Sequence, residues 1–179
     1  IPFRRLIKLW MICAVVSFKV LLCCSSNNNL NDGIIHMQTE ITEPGPLLLP
    51  SGKLAQIGWA RQPLLDCNLE AAHFYALKPL QRFRIKRWDY YAVFTPRRFF
   101  SATIADLGYA GNIFVYTIDF ETNELHEEGI VVPLGRNIIL PRNSDGRRSY
   151  FSNQDLSLEF TFENRVRRLR VEWPGFHDG

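Results

Sequence analysis

Little in this sequence supports a disulfide framework, a metal centre or a nucleotide site. Its cysteines are Cys13, Cys23, Cys24 and Cys67, and the first three sit inside or beside one apolar run. Cys67 therefore has no partner for an internal disulfide in the rest of the chain. There is no CxxC and no Cys/His cluster, so no metal site is expected. Glycine-rich phosphate loops, GxSxG elbows and HExxH helices are all missing, and no cofactor is implied. The histidines, His36, His73, His126 and His177, are scattered and form no recognisable catalytic spacing. A surplus of one charge is also lacking from most of the chain. The formal charge is +3, and Arg4, Arg5, Lys8 and Lys19 against Asp32 account for all of it. Residues 37–179 are balanced, which argues against nucleic acid as a partner.

What is present is a folded composition. Of 179 residues, 46% are hydrophobic and 13% aromatic, enough for one domain with a real core. The chain divides at Met37. Residues 6–24, LIKLWMICAVVSFKVLLCC, form an apolar run behind Arg4 and Arg5, the outline of a leader or anchor. Lys19 weakens that reading, since a Lys at the centre of a span costs roughly 2.5–3.5 kcal/mol. Translation from Met37 is the competing reading, with residues 1–36 as translated upstream sequence. The first reading places the protein in a membrane or the secretory pathway; the second places it in the cytoplasm. A membrane is a partner only if residues 6–24 are a genuine anchor.

Residues 40–68 carry Pro44, Gly45, Pro46 and Pro50 and read as a strap, with a short strand over Leu54–Ala60. Gly58 beside Trp59 suggests a close backbone approach. Residues 69–80 offer either one helical turn before Pro79 or a strand from Ala72. Alternation begins at Gln81, with Phe83 and Ile85 on one side and Arg82, Arg84 and Lys86 on the other.

The strongest signal lies in KRWDYYAVFTPRRFFSATIADLGYAGNIFVYTIDF, residues 86–120. Period two places Trp88, Tyr90, Ala92 and Phe94 on one face. Thr95-Pro96-Arg97-Arg98 is a turn. Phe99–Asp106 and Ile113–Phe120 are expected to pair across Leu107–Asn112, with Gly108 and Gly111 supplying unusual backbone angles. Setting Asp106 opposite Phe114 gathers Phe100, Ala102, Ile104, Phe114, Tyr116, Ile118 and Phe120 on one face, and that register is expected. Short strands follow at Ile130-Val131-Val132 and Ile138-Ile139-Leu140. Asn143-Ser144-Asp145-Gly146 is a turn cluster. Leu156, Leu158, Phe160 and Phe162 alternate with polar residues. The return strand turns Leu169, Val171 and Trp173 inward, with a bulge expected near Arg167 because Val166 is out of phase. Arg168 and Arg170 are expected to reach Glu159. The fold class is all-β: an antiparallel meander, as in a calycin-like barrel or half-barrel, that stops before its sheet closes.

The runs GWARQPLLDCN, KRWDYYA and ADLGYAG carry a resemblance. Gly58-Trp59-Ala60, Pro63-Leu64, Asn68, Lys86 to Tyr90, Ala105 to Gly111, Tyr116 and Asp119-Phe120 resemble the uncharacterised family catalogued as "domain of unknown function 2804". The resemblance runs from about Thr42 to Gly179. It implies a domain that begins near Glu40 and continues past Gly179, so residues 37–179 would be its N-terminal part. It implies no activity.

Three functions fit these residues. The first is a module that binds an apolar small molecule of the lipid or isoprenoid class, lined by Trp88, Tyr90, Phe100, Tyr109 and Tyr116. The second is a hydratase- or isomerase-like enzyme with Asp106 as a general acid, helped by Asp89 and Tyr109. Asp106 and Asp119 themselves are about 20 Å apart along a strand, too far for a carboxylate couple. The third is a membrane-tethered structural or interaction protein, resting on residues 6–24.

Overall fold

The computed structural model describes residues 39–143 and 148–178. The apolar run at residues 6–24, Met37 and most of the turn cluster Asn143–Gly146 lie outside the described residues. The proline-rich segment forms a strap. Its only ladder is a two-residue parallel pair, β1 (Gly45–Pro46) with β2 (Leu65–Asp66). Leu54–Ala60 is not a strand; it makes only single bridges, Leu48 to Leu54 and Glu40 to Trp59. The close approach at Gly58 is real. A Cβ there would stand 2.1 Å from the Thr39 carbonyl oxygen. The strap is pinned by Asn68, whose amide exchanges two 2.8 Å hydrogen bonds with the Leu48 backbone.

Two short 3-10 segments follow, Leu69–Ala71 and Lys78–Phe83. The second replaces the strand expected from Gln81. Pro79 takes an early helical position, where its missing N–H costs nothing. Gln81 is buried, and its side chain accepts from the Phe74 amide at 2.8 Å.

The main sheet has four antiparallel strands in chain order: β3 (Arg87–Phe94), β4 (Arg98–Asp106), β5 (Ala110–Asp119) and β6 (Leu125–Pro133). A second sheet holds β7 (Ser149–Ser152), β8 (Ser157–Glu163) and β9 (Val166–Glu172). Among the described residues these sheets form no closed barrel. The Ile138–Leu140 run contributes a single bridge, Ile139 to Tyr150.

The register of the β4–β5 hairpin differs from the expected one. Asp106 stands opposite Gly111, and Ile104 opposite Ile113. The cause is a shorter connection. Leu107-Gly108-Tyr109 closes the turn alone, with the Leu107 amide on the Ala110 carbonyl at 2.8 Å. Gly108 takes φ +82°, but Gly111 lies inside β5 with no positive φ. Its constraint is space: a Cβ there would stand 2.3 Å from Ile138 Cδ1.

This register sorts the sheet into two faces. Asp89, Tyr91, Ala102, Ile104, Ile113 and Val115 share one face and are all buried. They pack with Phe151, Leu156, Leu158 and Phe160 from the second sheet's segment. The Tyr91 and Phe160 rings meet edge-on at 4.9 Å between centroids, joining the sheets. Burying such side chains contributes roughly 1.5–3 kcal/mol each before entropy is counted. Leu169, Val171 and Trp173 pack inward as expected. No bulge occurs near Arg167, because the β8–β9 ladder runs unbroken from Ser157–Glu172 to Glu163–Val166. Val166 is out of phase because it faces outward with Arg168 and Arg170. The turn is Asn164-Arg165, both at positive φ, as a tight hairpin requires. Arg168 and Arg170 pair with Glu163 and Glu172, while Glu159 takes Arg148.

Candidate functional site

The other face of the main sheet is aromatic. Along β3 it carries Trp88, Tyr90, Ala92 and Phe94. β4 supplies Phe99, Ser101, Thr103 and Ala105. β5 supplies Asn112, Phe114, Tyr116 and Ile118. A groove of about 300 Å³ opens there, lined by Trp88, Tyr90, Thr103, Ala105, Leu107, Asn112 and Phe114. Small Thr103 and Ala105 form the floor on the central strand, and the larger rings of β3 and β5 make the walls. Every lining residue is uncharged.

Beyond the groove the aromatic face continues. Phe94 meets Phe99 edge-on at 4.6 Å, and Phe99 stacks on Tyr116 at 5.3 Å. The Tyr90 and Tyr116 hydroxyls lie 3.2 Å apart. Burial, with the hydrogen bond to Tyr116, pushes the Tyr90 phenol up to about 12. Tyr90 is therefore a neutral phenol throughout the physiological range.

Of the five aromatics nominated from sequence for a pocket, Trp88, Tyr90 and Tyr116 share this face. Phe100 does not. It stands opposite Val93 and Thr117 on the packed side and contributes to the core. Tyr109 sits in the turn, 56% exposed. The Lys86 ammonium lies 4.1 Å from the Tyr109 ring centre. Lys86 also donates to the Phe83 and Leu107 carbonyls. Burial draws its pKa below the ordinary lysine value, against the pull of Asp106.

Neither nominated carboxylate lines the groove. Asp106 ties the turn together. One oxygen accepts from the Gly108 amide at 2.8 Å and the other from Arg87 at 2.9 Å. Asp89 is 2% exposed and accepts from the Ser149 hydroxyl, across the two sheets. It borders a cleft of about 20 Å³ with Cys67, Leu69, Arg87, Trp88 and Arg142. That volume holds about one water. Asp89 thus faces the second sheet, while Asp106 and Tyr109 belong to the β4–β5 turn. Among the described residues no group of three His, Cys, Asp or Glu side chains is placed to hold a metal. No helix there is long and apolar enough to cross a membrane.

The family profile described as Domain of unknown function (DUF2804) matches residues 38–179. The chain belongs to this family. No curated protein and no solved structure matches it. In this DUF2804 chain, residues of the runs KRWDYYA and ADLGYAG contribute to the groove and its rim. Trp88 and Tyr90 come from one quoted run, and Ala105 and Leu107 from the other, which also forms the Gly108 turn. Ala105 and Leu107 were not nominated as lining residues, and neither were Thr103, Asn112 and Phe114. With a three-residue turn, period two alone would have placed all three beside Trp88 and Tyr90.

Proposed function

We propose that this DUF2804 domain binds an apolar small molecule of the lipid or isoprenoid class on the outer face of its main sheet. One observation carries the reading: an uncharged, aromatic-walled groove of about 300 Å³ on the side away from the packed core. That volume lies at the lower end of the roughly 300–1,000 Å³ range of small-molecule sites. Sheet sides exposed to water are ordinarily polar. Here the equivalent positions are Trp88, Tyr90, Phe114 and Tyr116. A ligand covering them removes apolar surface from water at about 25 cal/mol per Å².

The test is a titration with fluorescent fatty-acid and retinoid probes, on the wild type and on Ala105→Trp. Ala105 lies on the floor, so an indole there fills the groove. The expected result is saturable binding of at least one probe, lost in Ala105→Trp with unchanged far-UV circular dichroism. Absence of saturable binding across the panel, or equal binding by the filled variant, sinks the reading.

A further inference from the structure

The 3-10 segment Lys78–Phe83 has an inverted amphipathic pattern. A 3-10 helix turns once in three residues, so positions three apart stand in one row. Gln81 marks the row that faces the protein; it is buried and holds the Phe74 amide. Leu77, Leu80 and Phe83 form another row, and they are 66%, 43% and 42% exposed. The polar side chain is inside and the apolar ones are in water, the reverse of a self-contained surface segment. The patch continues onto the β4–β5 turn. A Cβ on Gly108 would stand 3.3 Å from Phe83 Cα, and the next residue, Tyr109, is exposed. Contiguous exposed apolar surface of this kind marks a contact with a partner or a membrane.

Positive charge accompanies the apolar row. No acidic residue occurs between Glu70 and Asp89, whereas Lys78, Arg82, Arg84, Lys86 and Arg87 all do. Lys86 and Arg87 are taken up by backbone carbonyls and by Asp106. Lys78, Arg82 and Arg84 are exposed beside the row. The Arg82 guanidinium lies 5.5 Å from the Phe83 ring centre, and that of Arg84 lies 5.9 Å from the Phe74 ring centre.

We propose that this face docks on an anionic lipid bilayer, with Leu77, Leu80 and Phe83 entering the headgroup layer and Lys78, Arg82 and Arg84 meeting the lipid anions. Leucines and rings with a basic fringe are the composition of surfaces that lie in the membrane interface. The chain's own apolar run does not suit the face. Residues 6–24 hold Lys8 and Lys19 and no acid, and Arg4 and Arg5 precede them, so they would add to the same charge. The contact does not depend on the groove reading. Leu107, beside Gly108, lines the groove, so docking would hold that end of the groove near the bilayer.

The test is hydrogen–deuterium exchange on the full chain, with vesicles of phosphatidylcholine alone and of phosphatidylcholine mixed with phosphatidylserine. Exchange reports on this segment separately from any binding by residues 6–24. Exchange over residues 75–84 is expected to slow with the phosphatidylserine vesicles, much less with phosphatidylcholine alone, and less again in high salt. Lys78→Gln with Arg84→Gln should weaken the lipid dependence of this protection by roughly 25-fold, about fivefold for each cation near a charged surface. Leu77→Ser with Leu80→Ser should abolish it. All four side chains are exposed, and unchanged far-UV circular dichroism checks the fold. Exchange over residues 75–84 that vesicles leave unaltered overturns the proposal, even if the protein sediments with them. So does protection by polyglutamate but not by vesicles, which would assign the face to an acidic protein. Protection that grows with protein concentration in the absence of lipid overturns it too, in favour of a second copy.

Discussion

Replacing Gly108 with alanine attacks the turn that fixes which residues reach the groove. Gly108 has φ +82°, a conformation that costs an L side chain about 1–2 kcal/mol. The added Cβ would also stand 1.9 Å from the Arg82 carbonyl oxygen and 2.8 Å from its carbon. Contacts below 3.0 Å essentially never occur, so the 3-10 segment must retreat by the difference of about 1.1 Å. Displacing packed backbone adds roughly 1–3 kcal/mol. The retreat also loosens the Arg82 side-chain bond to the Gly108 carbonyl, now 3.2 Å. We expect a total loss of about 3–4 kcal/mol, and a melting point lower by roughly 8–15 °C. Thermal unfolding followed by circular dichroism measures it. Gly175→Ala is the control: nothing lies within 4 Å of its added Cβ, and its change should be negligible. Gly108→Asn separates the two terms, because asparagine tolerates the angle but not the contact. A loss under about 1 kcal/mol in Gly108→Ala would refute the three-residue turn, and with it the observed register.

Three further outcomes are expected. Asp89→Ala strips Ser149 of its acceptor and opens a buried space between the sheets, for a loss of about 2–3 kcal/mol. Ser149→Ala should add much less on top of it, and additive losses in the double-mutant cycle would show that the two side chains do not interact. Glu128 accepts from His126 at 2.8 Å and from the His177 amide at 2.6 Å, and these bonds, His126 first, lower its pKa below the ordinary 4.5. A depressed folded pKa gives stability that is present above 4.5 and lost as pH falls through the folded value. Glu128→Gln should therefore flatten the acid limb of a pH–stability curve, and an unchanged limb would contradict the contact. Arg165 holds φ 63° in the β8–β9 turn, so Arg165→Gly should stabilise the protein by about 0.5–1 kcal/mol in urea unfolding; a destabilised variant would contradict that strain.

The strand content and its antiparallel order were legible in the sequence because aromatic and β-branched alternation is strong from Trp88 to Phe120. The inward set Leu158, Phe160, Leu169 and Val171 was legible for the same reason. The register was not. Period two fixes which residues share a face within a strand, but the offset between strands depends on turn length. Gly111 looks like a turn residue in sequence; the demand on it comes from Ile138, distant in the chain. The same blindness hid the β7 strand, where Tyr150 and Phe151 are flanked by polar residues. The short ladder is supported by β8 and by the Ile139 bridge. The unforeseen β4–β5 register also parted Phe100, on the packed side, from Phe114 and Tyr116, and left Thr103 unnoticed on the groove floor. The ion pair of Asp106 with Arg87 was not legible, because it spans two strands and leaves no pattern within either one.

The central claim is that the ligand-bearing surface is the aromatic side of the main sheet, floored by Thr103 and Ala105. Methyl-resolved NMR with a fatty-acid or retinoid probe at saturation addresses it directly. Intermolecular contacts are expected from the ligand to the methyl groups of Thr103, Ala105 and Leu107, and none to Ile104, Ile113 or Val115. Contacts to that second set, or a bound ligand that touches neither Thr103 nor Ala105, would contradict it.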